Sequence, residues 1–293
     1  MNTVSEILKK VKRLEIISNR FANDLFAGQY KSVFRGRGME FSEVREYEPG
    51  DDIRSIDWNV TARAGRPFIK RFVEERELTV LFMVDISASG IFGSSVSKLD
   101  TAIEVVGTLM FSALKNNDKV GLLTFGDRVH DYYRPTKGKA NILRLIRELV
   151  TTEPVPGGTN LDCALEYVNR VLKRRAVLFL LSDFYAPEPG QALSLCARRH
   201  DLIALTLTDR REREFPNVGF LNLFDPETGQ TRLVDTGSAA VRDYLASRLA
   251  GKRAEIAGAL RRAKVDELPI EAGSDFSGDL RQFFRSRERR LGH

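Results

Sequence analysis

The sequence predicts an α/β protein built on a doubly wound, mostly parallel sheet flanked by helices, and three observations carry that prediction. Short runs that are apolar on both faces recur along the second part of the chain; segments with helical spacing separate them; and the connections between the two are short, with no internal repeat or low-complexity linker. A strand covered on both faces reads as a continuous apolar run rather than an alternating one, and parallel neighbours need a crossover, usually a helix, between them.

Residues 4–26 place Ile7, Val11, Leu14, Ile17, Phe21 and Leu25 three or four apart, which is one face of a helix. From Gly36 to Glu77, two alternating segments, Met39–Tyr47 and Pro67–Val73, flank the turn-rich EPGDDIRSIDWN and predict hairpin-like strands around a structured loop. Strands are then expected at Leu78–Val84, Val120–Phe125, Ala176–Leu181, Leu202–Leu207 and Glu267–Ala272. Helices are expected at Leu99–Lys115, Ala140–Val150, Leu161–Lys173, Gly190–Arg199, Ser238–Ala263 and Ser277–Arg287. Two pieces depart from the alternation: Arg128–Tyr133 reads as an edge strand, and Val218–Asp235 as a hairpin turning at Glu227-Thr228-Gly229. The expected organisation is an N-terminal helix with a small β-rich subdomain over residues 1–77, the α/β domain over 78–286 with a hairpin insertion near 218–235, and a basic tail over 287–293.

A hydrophobic content of 42% over 293 residues excludes a disordered chain. Lys and Arg number 46 against 40 Asp and Glu, so the net charge of +6 is spread over a mixed surface. The densest basic segments, Lys31–Arg37 and Arg281–Arg290, read as solvated faces, and no nucleic-acid partner is expected. Two cysteines inside apolar helical patterns, Cys163 and Cys196, suggest core residues in a reducing compartment rather than a disulfide framework. The N-terminal segment carries charges every few residues and has no apolar run long enough for a signal peptide or membrane span, so a cytoplasmic protein is expected.

Open α/β sheets bind ligands outside the carboxyl ends of their strands. Three loops there carry oxygen-bearing side chains: Asp85-Ile86-Ser87-Ala88-Ser89-Gly90, the GGTNLD stretch with Thr159 and Asp162, and Ser182-Asp183-Phe184. Such residue types also serve as helix caps and turn formers. As a group, two carboxylates with several hydroxyls and no nearby His or Cys suit a hard divalent cation of the magnesium kind rather than zinc.

The ordered set Asp85, Ser87 and Ser89 in a D-x-S-x-S pattern, Thr159 after a Gly-Gly pair, and Asp183 at the end of a buried strand resembles the metal-ion-dependent adhesion site of von Willebrand factor A domains. The resemblance implies a von Willebrand factor A-like, Rossmann-like fold. It implies that these five residues hold Mg2+ (or Mn2+ or Ca2+), directly or through water, and that an acidic side chain of a partner protein completes the shell.

The stretch from Arg45 to Arg63 reads R-x-Y-x-x-G-D-x-x-R-x-I-x-W-x-x-T-A-R, with Arg45, Tyr47, Asp51, Arg54, Trp58 and Arg63 among its hallmark positions. It resembles the bacterial family called domain of unknown function 58. The residues suit a self-satisfied loop, with Trp58 as an anchor packing the subdomain on the sheet, or a partner-binding face. The resemblance implies a partner or adaptor of a MoxR-type AAA+ ATPase, acting in protein maturation or complex assembly. Many members of that family carry two N-terminal membrane spans, and this sequence has none to match them.

The expectation is therefore a non-enzymatic, metal-dependent protein–protein interaction module. The alternative is a metal-dependent phosphotransferase or hydrolase using Asp85, since haloacid-dehalogenase-like enzymes keep a nucleophilic aspartate at the end of the first strand. Those enzymes usually place a second aspartate two residues on, where this chain has Ser87. No G-x-x-x-x-G-K-[ST] phosphate loop occurs, and His130, His200 and His293 lie outside the three loops.

Overall fold

The computed structural model describes residues 40–73, 77–93, 96–212, 214–224 and 229–291. The helix expected over 4–26, the basic segment Lys31–Arg37 and the tip of the 218–235 hairpin lie outside them. The chain divides into two compact units, one spanning Phe34–Glu77 and the other containing Leu78–His293.

In the smaller unit, β1 (Glu40–Glu46) and β2 (Phe68–Val73) pair antiparallel. The connection between them, expected as a loop, holds a 3-10 turn at Ile53–Ser55 and a two-turn helix, α1 (Trp58–Ala64). Asp57 starts this helix, its Oδ1 accepting the Asn59 and Val60 N–H groups at 3.0 and 3.2 Å, and Gly65 ends it at φ 70°. No residue of α1 is buried, so there was no apolar stripe to read.

The larger unit is built on six strands in the order β10-β7-β6-β3-β4-β5. They are β3 (Thr79–Asp85), β4 (Lys119–Phe125), β5 (Val129–Thr136), β6 (Val177–Ser182), β7 (Asp201–Thr208) and β10 (Asp266–Glu271). All pairings are parallel except β4 with β5, the antiparallel edge strand. Every residue of β6 is buried, as are all but the first of β3 and of β4, which explains their unbroken apolar runs. Leu81, Met83, Leu178 and Leu180 pack with α4 (Leu161–Val171), α5 (Gln191–Arg199) and the C-terminal part of α6 (Ala239–Arg262) on one face. The alternate residues point the other way, where Phe82 and Phe179 stack at 5.2 Å. On the remaining flanks, α2 (Lys98–Lys115) touches β3, β4 and β7, α3 (Lys139–Thr151) packs on α2, and α7 (Ser277–Leu291) packs on β10.

Strands β8 (Phe220–Phe224) and β9 (Thr231–Asp235) form the expected separate hairpin. Helix α7 runs through Leu291. Of its basic residues, Arg285, Arg289 and Arg290 are exposed, but Arg287 is buried, its Nη2 2.7 Å from Asp201 and its Nε 3.2 Å from Asp266. The run read as a solvated face thus includes an arginine that ties α7 to the starts of β7 and β10. Cys196 is buried and Cys163 half-buried, both free, with burial pushing the thiols up to about 12 and about 11. Among the described residues no helix is long and apolar enough to cross a membrane.

Sheet order and chain order together locate the sheet's point of reversal. The chain leaves β3 for β4 and β5 on one side, then returns to lay β6 on the other side of β3 and continues outward through β7 and β10. The switch point therefore lies between the carboxyl ends of β3 and β6, where connections diverge and leave a crevice.

Candidate functional site

The last residue of β3 is Asp85 and the last of β6 is Ser182, followed by Asp183. Asp85 is buried, and both its oxygens are engaged. Oδ1 accepts the Ser87 N–H at 2.9 Å, a local turn that folds the loop back over the strand end. Oδ2 accepts the Ser182 hydroxyl at 2.6 Å and lies 3.0 Å from Thr159 Oγ1. Thr159 Oγ1 is also 2.9 Å from Ser87 Oγ, which is 2.9 Å from Ser89 Oγ. A bridge between Ser87 and Val155, and the Val155 N–H donating to the Ile86 carbonyl, bring the glycine-rich loop beside the β3 loop. Asn160, not Thr159, caps α4, so the threonine hydroxyl is left for the cluster.

Asp85, Ser87, Ser89, Lys98, Ser182 and Asp183 line a cavity of about 10 Å³, close to the space one water or small ion fills. The structure thus brings all five residues expected at the cation site to the switch point. Burial, and after it the charge of Asp183, push the Asp85 carboxyl above its ordinary range. Beside them Phe184, buried, adopts φ 57°, a conformation that residues with side chains rarely hold without support; its N–H donates to Ser182 Oγ at 2.9 Å.

Ser182, read in the third loop but not among the five, belongs to the cluster as well, and two further residues, Lys98 and Glu212, were missed. Lys98 opens α2 and is 2% exposed, with Nζ 2.8 Å from Asp183 Oδ2 and bonded to Glu212. Glu212, from the turn after β7, also receives Arg253 of α6 at 2.7 Å. Burial works against the lysine's charge, but Asp183 and Glu212 outweigh it and hold the ammonium above its usual range. In the sequence alone Lys98 reads as an ordinary surface charge; its one oddity is a cation in the first turn of a helix, which opposes the helix dipole.

A larger cavity of about 210 Å³ adjoins at Asp183, with Phe184, Ile256 and Pro269 among its apolar walls and Tyr185 and Lys252 among its polar ones. The buried Tyr185 hydroxyl has no hydrogen-bond partner among the described residues. On the loop after Ser89, Ile91 and Phe92 are exposed.

The donor set fits a hard cation: two carboxylates and three hydroxyls, with no sulfur or imidazole. Among the described residues no group of three or more His, Cys, Asp or Glu is placed to hold a metal ion by itself, so the hydroxyls are essential to any such site.

In the smaller unit the six hallmark positions divide. Arg45 Nη2 pairs with Asp51 Oδ1 at 2.7 Å, Asp51 Oδ2 accepts the Glu48 N–H at 2.9 Å, and the Tyr47 N–H donates to the Pro67 carbonyl at 2.9 Å. These three secure their own loop. Arg54, Trp58 and Arg63 are exposed. Trp58 opens α1 directly after the Asp57 cap and is 68% exposed.

The model of a family described as "Protein of unknown function DUF58" matches residues 43–255. An uncharacterized protein of Mycobacterium tuberculosis (strain ATCC 25618 / H37Rv) is 29% identical over 283 residues, covering 95% of this chain and 89% of that protein. The uncharacterized protein YeaD of Bacillus subtilis is 27% identical over 108 residues, 37% of this chain and 25% of that one. Solved structures of similar fold include the conserved hypothetical protein BatB from Bacteroides thetaiotaomicron, with a TM-score of 0.48 and 17% identity, covering 72% of this chain and 99% of that one. Another is the SpRpn10 VWA domain, at 0.40 and 12%, covering 70% of this chain and 94% of that one.

Proposed function

We propose, for this chain, which belongs to the DUF58 family, that it is a non-enzymatic, metal-dependent protein-binding module. The observation that carries the proposal is the convergence of Asp85, Ser87, Ser89, Thr159 and Asp183 at the switch point. These five residues would hold a Mg2+-class cation. Bound there, it would supply an open coordination position to a partner's carboxylate.

The chain's own residues do the rest. Ser182 and the Ser87 N–H orient the Asp85 carboxylate, and the rigid end of a buried strand keeps it in place, so little ordering is left for the binding step. Ile91 and Phe92 offer exposed apolar surface beside a polar centre, an arrangement that suits a protein partner. The 210 Å³ cavity gives room for a side chain next to the partner's acidic residue. The partner proposed is a MoxR-type AAA+ ATPase, and the exposed Arg54, Trp58 and Arg63 are a second contact for it.

The test is an affinity pull-down with the full chain, in magnesium and in excess chelator. Recovery of an AAA+ ATPase in magnesium, reduced by chelator, is the expected result. Recovery indifferent to chelator would move the interface away from the cluster, and turnover of phosphate esters lost in Asp85→Ala would replace the proposal by the hydrolase reading.

A further inference from the structure

We infer that Lys98 is a tethered competitor for the cation site and sets how tightly that site takes a divalent ion. The inference rests on the reading of the oxygen cluster given under Proposed function and adds a determinant which the cluster's five residues do not contain.

The location of Lys98 is unfavourable by every local measure. It sits in the first turn of α2, where the helix dipole repels a cation, and it is buried, which penalises its charge. What offsets both penalties is the pair of carboxylates it meets: Asp183 Oδ2 at 2.8 Å and Glu212. The Phe92 and Tyr185 rings, with centroids 5.6 and 5.1 Å from Nζ, close the remaining sides.

The lysine lines the same 10 Å³ cavity as Asp85, Ser87, Ser89 and Asp183. One of the two carboxylates available to an ion is therefore already held by an internal ammonium. The local charges are Asp85, Asp183 and Glu212 against Lys98 and Arg253, a balance of −1. Without Lys98 that balance is −2, the value that matches a divalent ion. Two like charges sharing Asp183 repel each other in a dry site, so the lysine weakens ion binding. Glu212 limits the effect, because Lys98 has a second seat and need not leave the interior when Asp183 is drawn to the cavity. The same contact relays the change outward: Arg253 of α6 shares Glu212, and α6 lines the larger cavity beside Asp183.

Two substitutions shift the competition in opposite directions. Lys98→Met keeps the length and apolar stem while removing the charge, and Glu212→Gln leaves the lysine with Asp183 as its only carboxylate. Titration calorimetry of the full-length wild type and both variants with MgCl2 and with MnCl2, alongside melting curves, reads the affinities and checks folding. Removing one unit charge a few ångströms from the ion tightens binding in K98M by about tenfold or more, and E212Q weakens it. Binding by K98M where the wild type shows none carries the same meaning. Equal affinities in wild type and K98M, or weaker binding by K98M, overturn the role of Lys98 while leaving the cation site in place. Absence of binding in all three proteins overturns the cation reading itself and this inference with it. Should K98M fail to fold, Lys98→Gln decides: binding tighter than the wild type upholds the competition, and unchanged or weaker binding ends it.

Discussion

Replacing Asp85 by Asn isolates the charge at the centre of the cluster. The amide keeps the volume of the carboxylate and an oxygen to accept the Ser87 N–H, while the Ser182 and Thr159 hydroxyls can rotate to meet its other atom. In the ion-free protein the change also removes a buried charge that Asp183 disfavours, so the variant is expected to melt at or above the wild type. Adding magnesium separates the two proteins. At an ion concentration a hundred times the dissociation constant, binding to the folded state alone stabilises the wild type by about 2.7 kcal/mol, or roughly 5–10 °C for a domain of this size. Asp85→Asn is expected to lose that response. The assay is a thermal melt of each protein in chelator and across a magnesium series. Equal shifts in both proteins would refute the assignment of Asp85 to the site, and the placement of the cation with it.

Two further substitutions test the scaffold. His200 is buried at the end of α5, and burial, helped by the charges of Arg199 and Arg175, holds its imidazole down to about 4 from 6.5. The unfolded chain therefore binds the proton more readily between those values, so stability falls as the pH drops from 6.5 through 4, by up to roughly 3 kcal/mol. His200→Leu should flatten that slope in urea melts at pH 7 and pH 4.5; an unchanged slope would place the acid sensitivity elsewhere. Gly121, in β4, admits no side chain, because a Cβ there would lie 2.7 Å from the Tyr133 carbonyl oxygen and 2.9 Å from the Pro135 ring. Gly121→Ala should cost about 1–3 kcal/mol by pushing β5 off the sheet edge, and an unchanged melting temperature would count against the β4–β5 register.

The larger unit was legible because its strands are buried on both faces, which makes them apolar throughout, and because each helix between them keeps its periodicity. The antiparallel edge strand, expected over Arg128–Tyr133 and found at Val129–Thr136, has no fully buried residue, which sets it apart from the apolar runs of the central strands. Helix α1 was not legible, since two turns with no buried residue leave only their caps as a signal. At the site, the residues that point their oxygens inward form an ordered pattern along the chain and could be named. Lys98, Glu212 and Arg253 could not, because their meaning lies in meeting one another: they come from α2, the turn after β7 and α6, and each alone reads as an ordinary surface charge.

The hydrogen bond between Asp85 and Ser182 joins residues 97 positions apart. Loop closure over such a span is entropically expensive and is offset only when β3 and β6 have docked side by side. No fragment ending before β6 contains both halves of the cluster, and a collapsed intermediate with a loose sheet cannot hold its oxygens in register. The geometry of the cluster therefore arrives only with the finished sheet, which makes its formation a report on complete assembly.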